Sequence, residues 1–477
     1  MLYVALALTL ALLCSTSFAA APEPLPPVPT RQQVDWQRGE LTMFIHFGVN
    51  TFTDREWGEG SEDEKIFNPA KLDCRQWARA AKDGGFRIVI LTAKHHDGFC
   101  LWPSRHTEHS VKNSPWRDGK GDVVREFVEA CRAEGMKPGL YLSPWDRHEK
   151  CYGDSPRYNE FYRNQLTELL THYGPIAEVW FDGACGEGPN GKKQEYDWPA
   201  VHALVRKLQP DAVMFSDAGP DIRWIGNEKG IAGDPCWSTV DPAKVRFPGV
   251  SGPGITEALQ HGDMGGSVWR PGEADVSIRP GWFWHAKEDT QVRSVENLID
   301  LYFQSVGRNS LLLLNVPPNR DGLLADADVQ RLADFRAARE ALFNTNLAAG
   351  KKATASNVRA NDATCAADRA TDGNLDTAWA TDDGVTTGWL EVDLGAPTGF
   401  EVARIREDIR LGQRVSAFHL EYFDAGNWKP IVSGTTIGCQ KLERFPAITA
   451  QRVRLVIDKA LACPVISEFA LFSPQRR

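Results

Sequence analysis

At 477 residues the chain is long enough for about two or three domains, and 42% hydrophobic with 25% charged residues is the composition of a globular protein. A formal net charge of -9, without any basic run, repels phosphate backbones and argues against nucleic acid as a partner. The 16 tryptophans stand out, because an indole offers a flat apolar face and one N–H donor, which suits the C–H face of a sugar ring as well as a core.

Residues 2–13 are almost wholly apolar and too short to span a bilayer comfortably. The small-residue stretch Phe18-Ala19-Ala20-Ala21-Pro22 follows, so residues 1–21 read as a signal peptide, and the expected location is secreted or periplasmic. Leu13 before Cys14 lacks the small side chain of a lipoprotein signal. No later apolar run is long enough for a transmembrane anchor. The Pro-rich stretch 22–29 reads as an extended leader. Ten cysteines, nine without Cys14, show no CxxC spacing or Cys/His cluster, so no zinc site is expected; Cys439 and Cys463 form a candidate pair.

From residue 22 to 345, apolar runs alternate with amphipathic ones. Strands are expected at 42–49, 87–92, 137–143, 177–181, 212–216, 266–269 and 310–316. Helices are expected at 74–83, 122–134, 156–172, 198–208, 292–306 and 326–343, with Gly84-Gly85, Gly135 and Gly174 as terminators. Repeated β then α points to a (β/α)8-like barrel. An open doubly wound sheet would carry a glycine-rich phosphate turn after an early strand, and none is present. Residues 346–477 change character, with short alternating segments between Asp-Gly, Gly-Asn and Pro-bearing turns, which suggests a β-sandwich of jelly-roll type.

In a barrel, chemistry gathers where strands end. Those points read His46-Phe47-Gly48, Lys94-His95-His96-Asp97-Gly98-Phe99, Ser143-Pro144-Trp145-Asp146, Trp180-Phe181-Asp182-Gly183 and Ser216-Asp217. Imidazoles and carboxylates from several strands converging on one rim make a pocket the simplest account. Asp182 follows a buried strand directly and has Gly183 beside it, which suits a nucleophile attacking an acetal carbon; the rival reading is a helix cap or an ion-pair partner. Adjacent His95 and His96 face opposite ways in a regular strand, so both reach one ligand only across a twist or bulge. A metal site of His46, His95, His96 and Asp97 is the rival, though no HExxH-like spacing supports it.

Three of these blocks, at His46, Lys94 and Trp180, resemble in order and spacing the signatures of family 29 α-L-fucosidases over residues 32–345. The resemblance implies retaining hydrolysis of terminal α-L-fucose without a catalytic cofactor, Asp182 as nucleophile, and His46, Glu56, Trp57, His95 and His96 as ring-binding residues. The stretch Ile222 to Gly230 resembles the block that carries the acid/base in the subgroup acting on α-1,3/1,4-linked fucose, which points to Glu228; Asp217 and Glu187 are the reserves. Trp284 matches a pocket aromatic, while Trp145, Asp146 and Arg223 are further contact candidates. Tyr141, set within its strand, is not counted among them. The implied partner is a fucosylated oligosaccharide or glycoconjugate.

Residues 367–379 and 389–395 resemble the early blocks of discoidin-like, coagulation factor 5/8 type C modules. That resemblance implies a jelly roll, with a structural calcium drawing on Asp372, Thr377 and Glu468. Some such modules bind galactose-type sugars and others bind nothing known, so sugar binding stays open. Two other functions remain: a secreted carbohydrate-binding protein that has lost catalysis, and an exo-glycosidase for another sugar.

Overall fold

The structure is a computed structural model that describes residues 21–473. The expected signal peptide lies outside the described residues save for its last one, and so does Cys14.

Eight parallel strands close into a barrel: β1 Leu41–Ile45, β2 Ile88–Lys94, β3 Lys137–Leu142, β4 Glu178–Trp180, β5 Val213–Ser216, β6 Ile222–Trp224, β7 Gly272–Ser277 and β8 Ser310–Asn315. Strands β1 and β2 are buried at every position, as expected where helices cover a parallel sheet. The helices between them follow their sequence signals. Asp73 caps Cys74–Asp83 by accepting from Arg75 N–H and Gln76 N–H, and Asp122 caps Val123–Ala133 through Arg125 N–H. Gly85 and Gly135, just past these two helices, take φ of 83° and 76°, the left-handed conformation that glycine adopts without a Cβ penalty.

One expected barrel strand needs correction, and two barrel strands were not expected. Residues 268–269 do not join the barrel; Val268–Trp269 pairs antiparallel with Thr239–Val240 outside it. The places in the barrel go to β6 and β7 instead. The first is only three residues long, and the second carries Glu273, Asp275 and Ser277 at alternate positions, so neither shows the apolar run of its neighbours.

Those polar residues face the barrel interior. Aromatic and aliphatic side chains, among them Phe44, Ile90, Tyr141, Trp180, Phe215 and Leu313, pack its centre. Trp180 and Phe215 stack with centroids 4.1 Å apart. Among them sit two carboxyls, Glu178 and Glu273. Trp36 donates its indole N–H to Glu178 at 3.0 Å, and Trp180 does so to Glu273 at 2.9 Å. Burial and then mutual repulsion push Glu273 well above the carboxylate range, so the pair keeps a proton between them.

The C-terminal region is an antiparallel sandwich. Its two long strands, Gly388–Glu407 and Lys441–Ala460, pair along most of their length, and Val415–Asp424 and Val465–Phe472 flank them. This module has its own core around Trp379, Leu390, Phe418, Leu455 and Phe469. It is also built into the barrel: Val402, Leu442, Ala470 and Phe472 belong to the barrel's outer core, and Phe472 meets Phe343 edge-on at 5.1 Å. Ion pairs Arg406–Glu40 and Lys441–Asp234, each at 2.8 Å, flank that joint. The leader crosses the module as well, where Leu25 N–H donates to Leu411 O. All nine described cysteines are unpaired; Cys439 packs with Val34, Trp269 and Ile409, and Cys463 with Ala380 and Val465, so the expected Cys439–Cys463 bridge is not formed.

Candidate active site

At the C-terminal ends of the barrel strands lies a cleft open to solvent, lined by Phe44, His46, Glu56, Trp57, His95, His96, Trp180, Asp182, Ala184, Glu228, Asp275 and Trp282. Seven of the expected site residues therefore meet there: His46, Glu56, Trp57, His95, His96, Asp182 and Glu228.

Asp182 follows β4 directly. Its Oδ1 accepts from Ala184 N–H at 2.7 Å and its Oδ2 from the Tyr141 hydroxyl at 3.0 Å. The carboxylate is thus fixed from two sides while its side chain stays 25% exposed to the cleft. Gly183 is required next to it, because a Cβ there would fall 2.2 Å from Asp217 Oδ2. Glu228 stands in the loop after β6, where burial, and then the charges of Asp182 and Glu56, raise its pKa against the opposing effect of a hydrogen bond from Trp282. A carboxyl that is easily protonated thus shares a cleft with one held by donors, the division of labour an acid and a nucleophile need.

Both adjacent imidazoles do reach the cleft: His95 and His96 lie past the end of β2, in the turn closed by Gly98 N–H on His95 O, where the alternation of a regular strand no longer applies. Their rings lie 4.1 Å apart. Burial depresses all three histidines, His46 to about 3, His95 well below the ordinary imidazole value and His96 below it, so each is neutral. Neighbours then fix the tautomers. Ser277 Oγ donates to Gly281 O and therefore accepts from Asn315 Nδ2, which leaves Asn315 Oδ1 to accept from His46 Nδ1 at 2.9 Å. His46 Nε2 is left as an acceptor. His95 Nδ1 faces the donating amide of Asn50 at 3.4 Å, so its Nε2 carries the proton. Ser143 Oγ donates to Trp145 O and accepts from His96 Nδ1, leaving His96 Nε2 as an acceptor 3.8 Å from Asp182 Oδ2. The row offers acceptor, donor, acceptor, a pattern for ring hydroxyls.

Other expected residues lie elsewhere. Arg223 is fully buried and turns away from the cleft; its guanidinium donates to Leu259 O, Arg270 O and Cys236 Sγ. Trp284 is directed outward, where its indole donates to Asp289, and Trp282 takes the expected pocket position. Trp145 backs the rim, edge-on to Trp57 and against His96, with its N–H on Glu187 O. Asp146 is paired with buried Lys94 at 2.9 Å and shapes the loop. Of the reserve acids, Glu187 is exposed, and Asp217, pushed up to about 6 by burial, faces a separate crevice. Asp97 accepts from Phe99 N–H, and among the described residues no group of three His, Cys, Asp or Glu side chains is arranged to hold a metal.

Tyr141, Asp275 and Trp282 belong to the site without having been expected there. The two-residue period of β3 and β7 sets Tyr141 and Asp275 on the interior face. Asp275 accepts from the Trp224 indole at 2.8 Å, and burial holds its carboxyl well above the usual range.

In the module, Thr377 donates to Asp372 Oδ2 at 2.7 Å, and Asn374 O lies 2.9 Å from the same hydroxyl. Glu468 is not with them. Its carboxylate is taken by Arg404 at 2.8 Å and Arg406 at 3.4 Å.

Comparison with known proteins adds the following. The family model described as Alpha-L-fucosidase matches residues 28–337, and that of the F5/8 type C domain matches residues 352–469. Alpha-L-fucosidase 1 of Arabidopsis thaliana is 47% identical over 473 residues, 98% of this chain and 92% of the relative. A Ruminococcus gnavus GH29 fucosidase solved in complex with fucose has a TM-score of 0.89 at 37% identity, covering 97% of this chain and 98% of that one. The crystal structure of SpGH29 has the same TM-score at 42% identity, covering 95% of this chain and 99% of that one.

Proposed function

Given that this chain belongs to the α-L-fucosidase family and is an α-L-fucosidase, a glycoside hydrolase, we propose that it releases terminal α-1,3/1,4-linked fucose with retention of configuration, using Asp182 as nucleophile and Glu228 as acid/base. The observation that carries this reading is the pairing of a donor-anchored Asp182 with a Glu228 of raised pKa in one cleft.

In the first step Asp182 Oδ attacks the anomeric carbon from the β face. The bond to the leaving oxygen breaks as Glu228 gives that oxygen its proton. The covalent fucosyl ester has β configuration. In the second step Glu228, now a carboxylate, takes a proton from water, whose oxygen attacks from the α face and expels Asp182. Two inversions restore the α configuration. A retaining pair works with carboxyls about 5–5.5 Å apart. Neutral His46, His95 and His96 hold the ring hydroxyls, and exposed Trp57 flanks the opening. The Tyr141 hydroxyl and Ala184 N–H hold the two oxygens of Asp182 in place for attack.

Nucleophile and acid are separable by experiment. Asp182→Gly abolishes turnover of a fucosyl oligosaccharide, and azide added to it with an activated fucoside gives a β-fucosyl azide. Glu228→Ala with azide gives the α azide, because attack then occurs on the covalent intermediate. Equal products from both variants would overturn the assignment.

The substrate is a fucosylated oligosaccharide or glycoconjugate, and the protein acts after export, secreted or periplasmic, the apolar residues 2–13 supporting the latter point. Hydrolysis proceeds on protein groups alone, without a cofactor. A structural calcium in the module would be held by Asp372, Thr377 and the Asn374 carbonyl without Glu468; a melting temperature unchanged by a chelator removes it.

A further inference from the structure

Glu56 is drawn into more contacts than a sugar ligand needs. Its Oε1 lies 2.6 Å from His285 Nε2 and accepts from Phe283 N–H at 3.1 Å, while its Oε2 accepts from Trp282 N–H at 2.7 Å. His285 Nδ1 lies 2.8 Å from Asp54 Oδ1, so both ring nitrogens face carboxylates. An imidazole can satisfy two acceptors only as the cation, and the two hydrogen bonds, with the charges of Glu56 and Glu288, raise His285 against the cost of burial. Gly281 is tied to the same place, since a Cβ there would meet Glu56 Oε1 at 2.5 Å. At the far end, Trp282 donates its indole N–H to Glu228 Oε2 at 3.1 Å, and its carbonyl is held by Asn315 at 2.8 Å.

A continuous run of hydrogen bonds thus joins Asp54, at the end of the short helix Val49–Thr53, to the carboxyl of Glu228 on the other side of the cleft. We propose that His285 is a positioning residue for the acid/base: clamped between Asp54 and Glu56, it fixes the Trp282 segment and thereby the orientation of Glu228. This rests on the reading of Glu228 as the acid. The device links the loop after β1 to the loop after β7, so the strand end that carries His46 also governs how a proton reaches the leaving group. The His285 imidazolium faces Asp54, Glu56 and Glu288, and Lys287 and Arg320 act on Asp54 from outside.

The experiment compares His285→Phe, Asp54→Asn and Trp282→Phe with the parent, all in the full-length chain. One substrate is a fucosyl disaccharide, whose leaving sugar needs protonation, and the other is a nitrophenyl fucoside, which does not. His285→Phe and Trp282→Phe are each expected to lower kcat/KM on the disaccharide by about 10- to 100-fold, as misplacing a catalytic group does; His285→Phe spares the nitrophenyl substrate, on which Trp282→Phe, whose indole also lines the cleft, loses less than on the disaccharide. Both move the alkaline limb of the pH profile upward, because the indole N–H no longer favours the Glu228 carboxylate. The double variant loses no more than either single one, and His285→Gln, which keeps one donor for Glu56, recovers part of the loss. Equal losses on both substrates, an unmoved alkaline limb, or multiplied losses in the double variant would overturn the proposal. If His285→Phe does not fold, Asp54→Asn and Trp282→Phe make the same comparison. Failure of the underlying assignment is seen separately, as disaccharide turnover surviving in Glu228→Ala.

Discussion

The phenol of Tyr141 donates a hydrogen bond to Asp182 Oδ2 at 3.0 Å, from the floor of the cleft and from the neighbouring strand. A donor to a carboxylate contributes about 1.5–3 kcal/mol. Tyr141→Phe removes only the hydroxyl, so kcat should fall about 10- to 100-fold on disaccharide and nitrophenyl substrates alike. Steady-state kinetics on the two substrates checks this. A loss confined to the disaccharide would mean that Tyr141 serves the acid instead.

As the proposed acid, Glu228 must enter the first step protonated. Its pKa is raised, by burial first, so it holds its proton above the pH at which an ordinary glutamate has lost it. Activity on disaccharides should therefore persist through weakly acidic pH and fall as pH rises through that raised value. The same limb should vanish in Glu228→Gln assayed on a nitrophenyl fucoside. A pH–rate profile of kcat/KM for both enzymes tests it.

The interior pair Glu178–Glu273 acts on stability in the opposite sense to an exposed salt bridge. Both pKa values are raised on folding, so the native state binds more protons than the unfolded one above the ordinary glutamate range, and stability declines with rising pH from there until the native pair titrates. Glu273→Gln should leave the melting temperature at pH 5 almost unchanged and raise it at pH 8 and above. Calorimetry at the two pH values decides; an equal shift at both would show that no shared proton is involved.

Arg223 and Trp284 separate contact from support. Arg223→Met leaves the carbonyls of Leu259 and Arg270 without their donor and should destabilise the fold by about 1–3 kcal/mol. Its effect on KM should be small at temperatures where the variant stays folded. Trp284→Phe should leave KM unchanged, whereas Trp282→Phe should not. Denaturant melts and Michaelis constants for the three variants are the measurement.

The barrel was legible in the sequence wherever burial on both faces wrote long apolar runs, as in β1, β2 and β8, and wherever caps such as Asp122 and Gly135 marked the helix ends. It was illegible at β7. There the interior-facing positions hold Glu273, Asp275 and Ser277, and a strand carrying function inward has no apolar signature. The paired histidines were legible as residues but not as geometry, since an apolar run does not mark that β2 stops at Lys94 and gives way to the turn in which both rings reach the cleft. Trp282 and Trp284 sit two residues apart in an aromatic run, and composition could not say which one faces inward. What chose between them is Glu56, 226 positions away, holding the Trp282 N–H.

The insertion of Leu442, Ala470 and Phe472 among the barrel's own side chains has a practical consequence for anyone dissecting this enzyme. Cutting the chain after the last barrel helix would not free a catalytic half; it would leave a wound of bare hydrocarbon along that helix and unpaired charges at Glu40 and Asp234. The sandwich is part of the wall, and the two halves should melt together as one body.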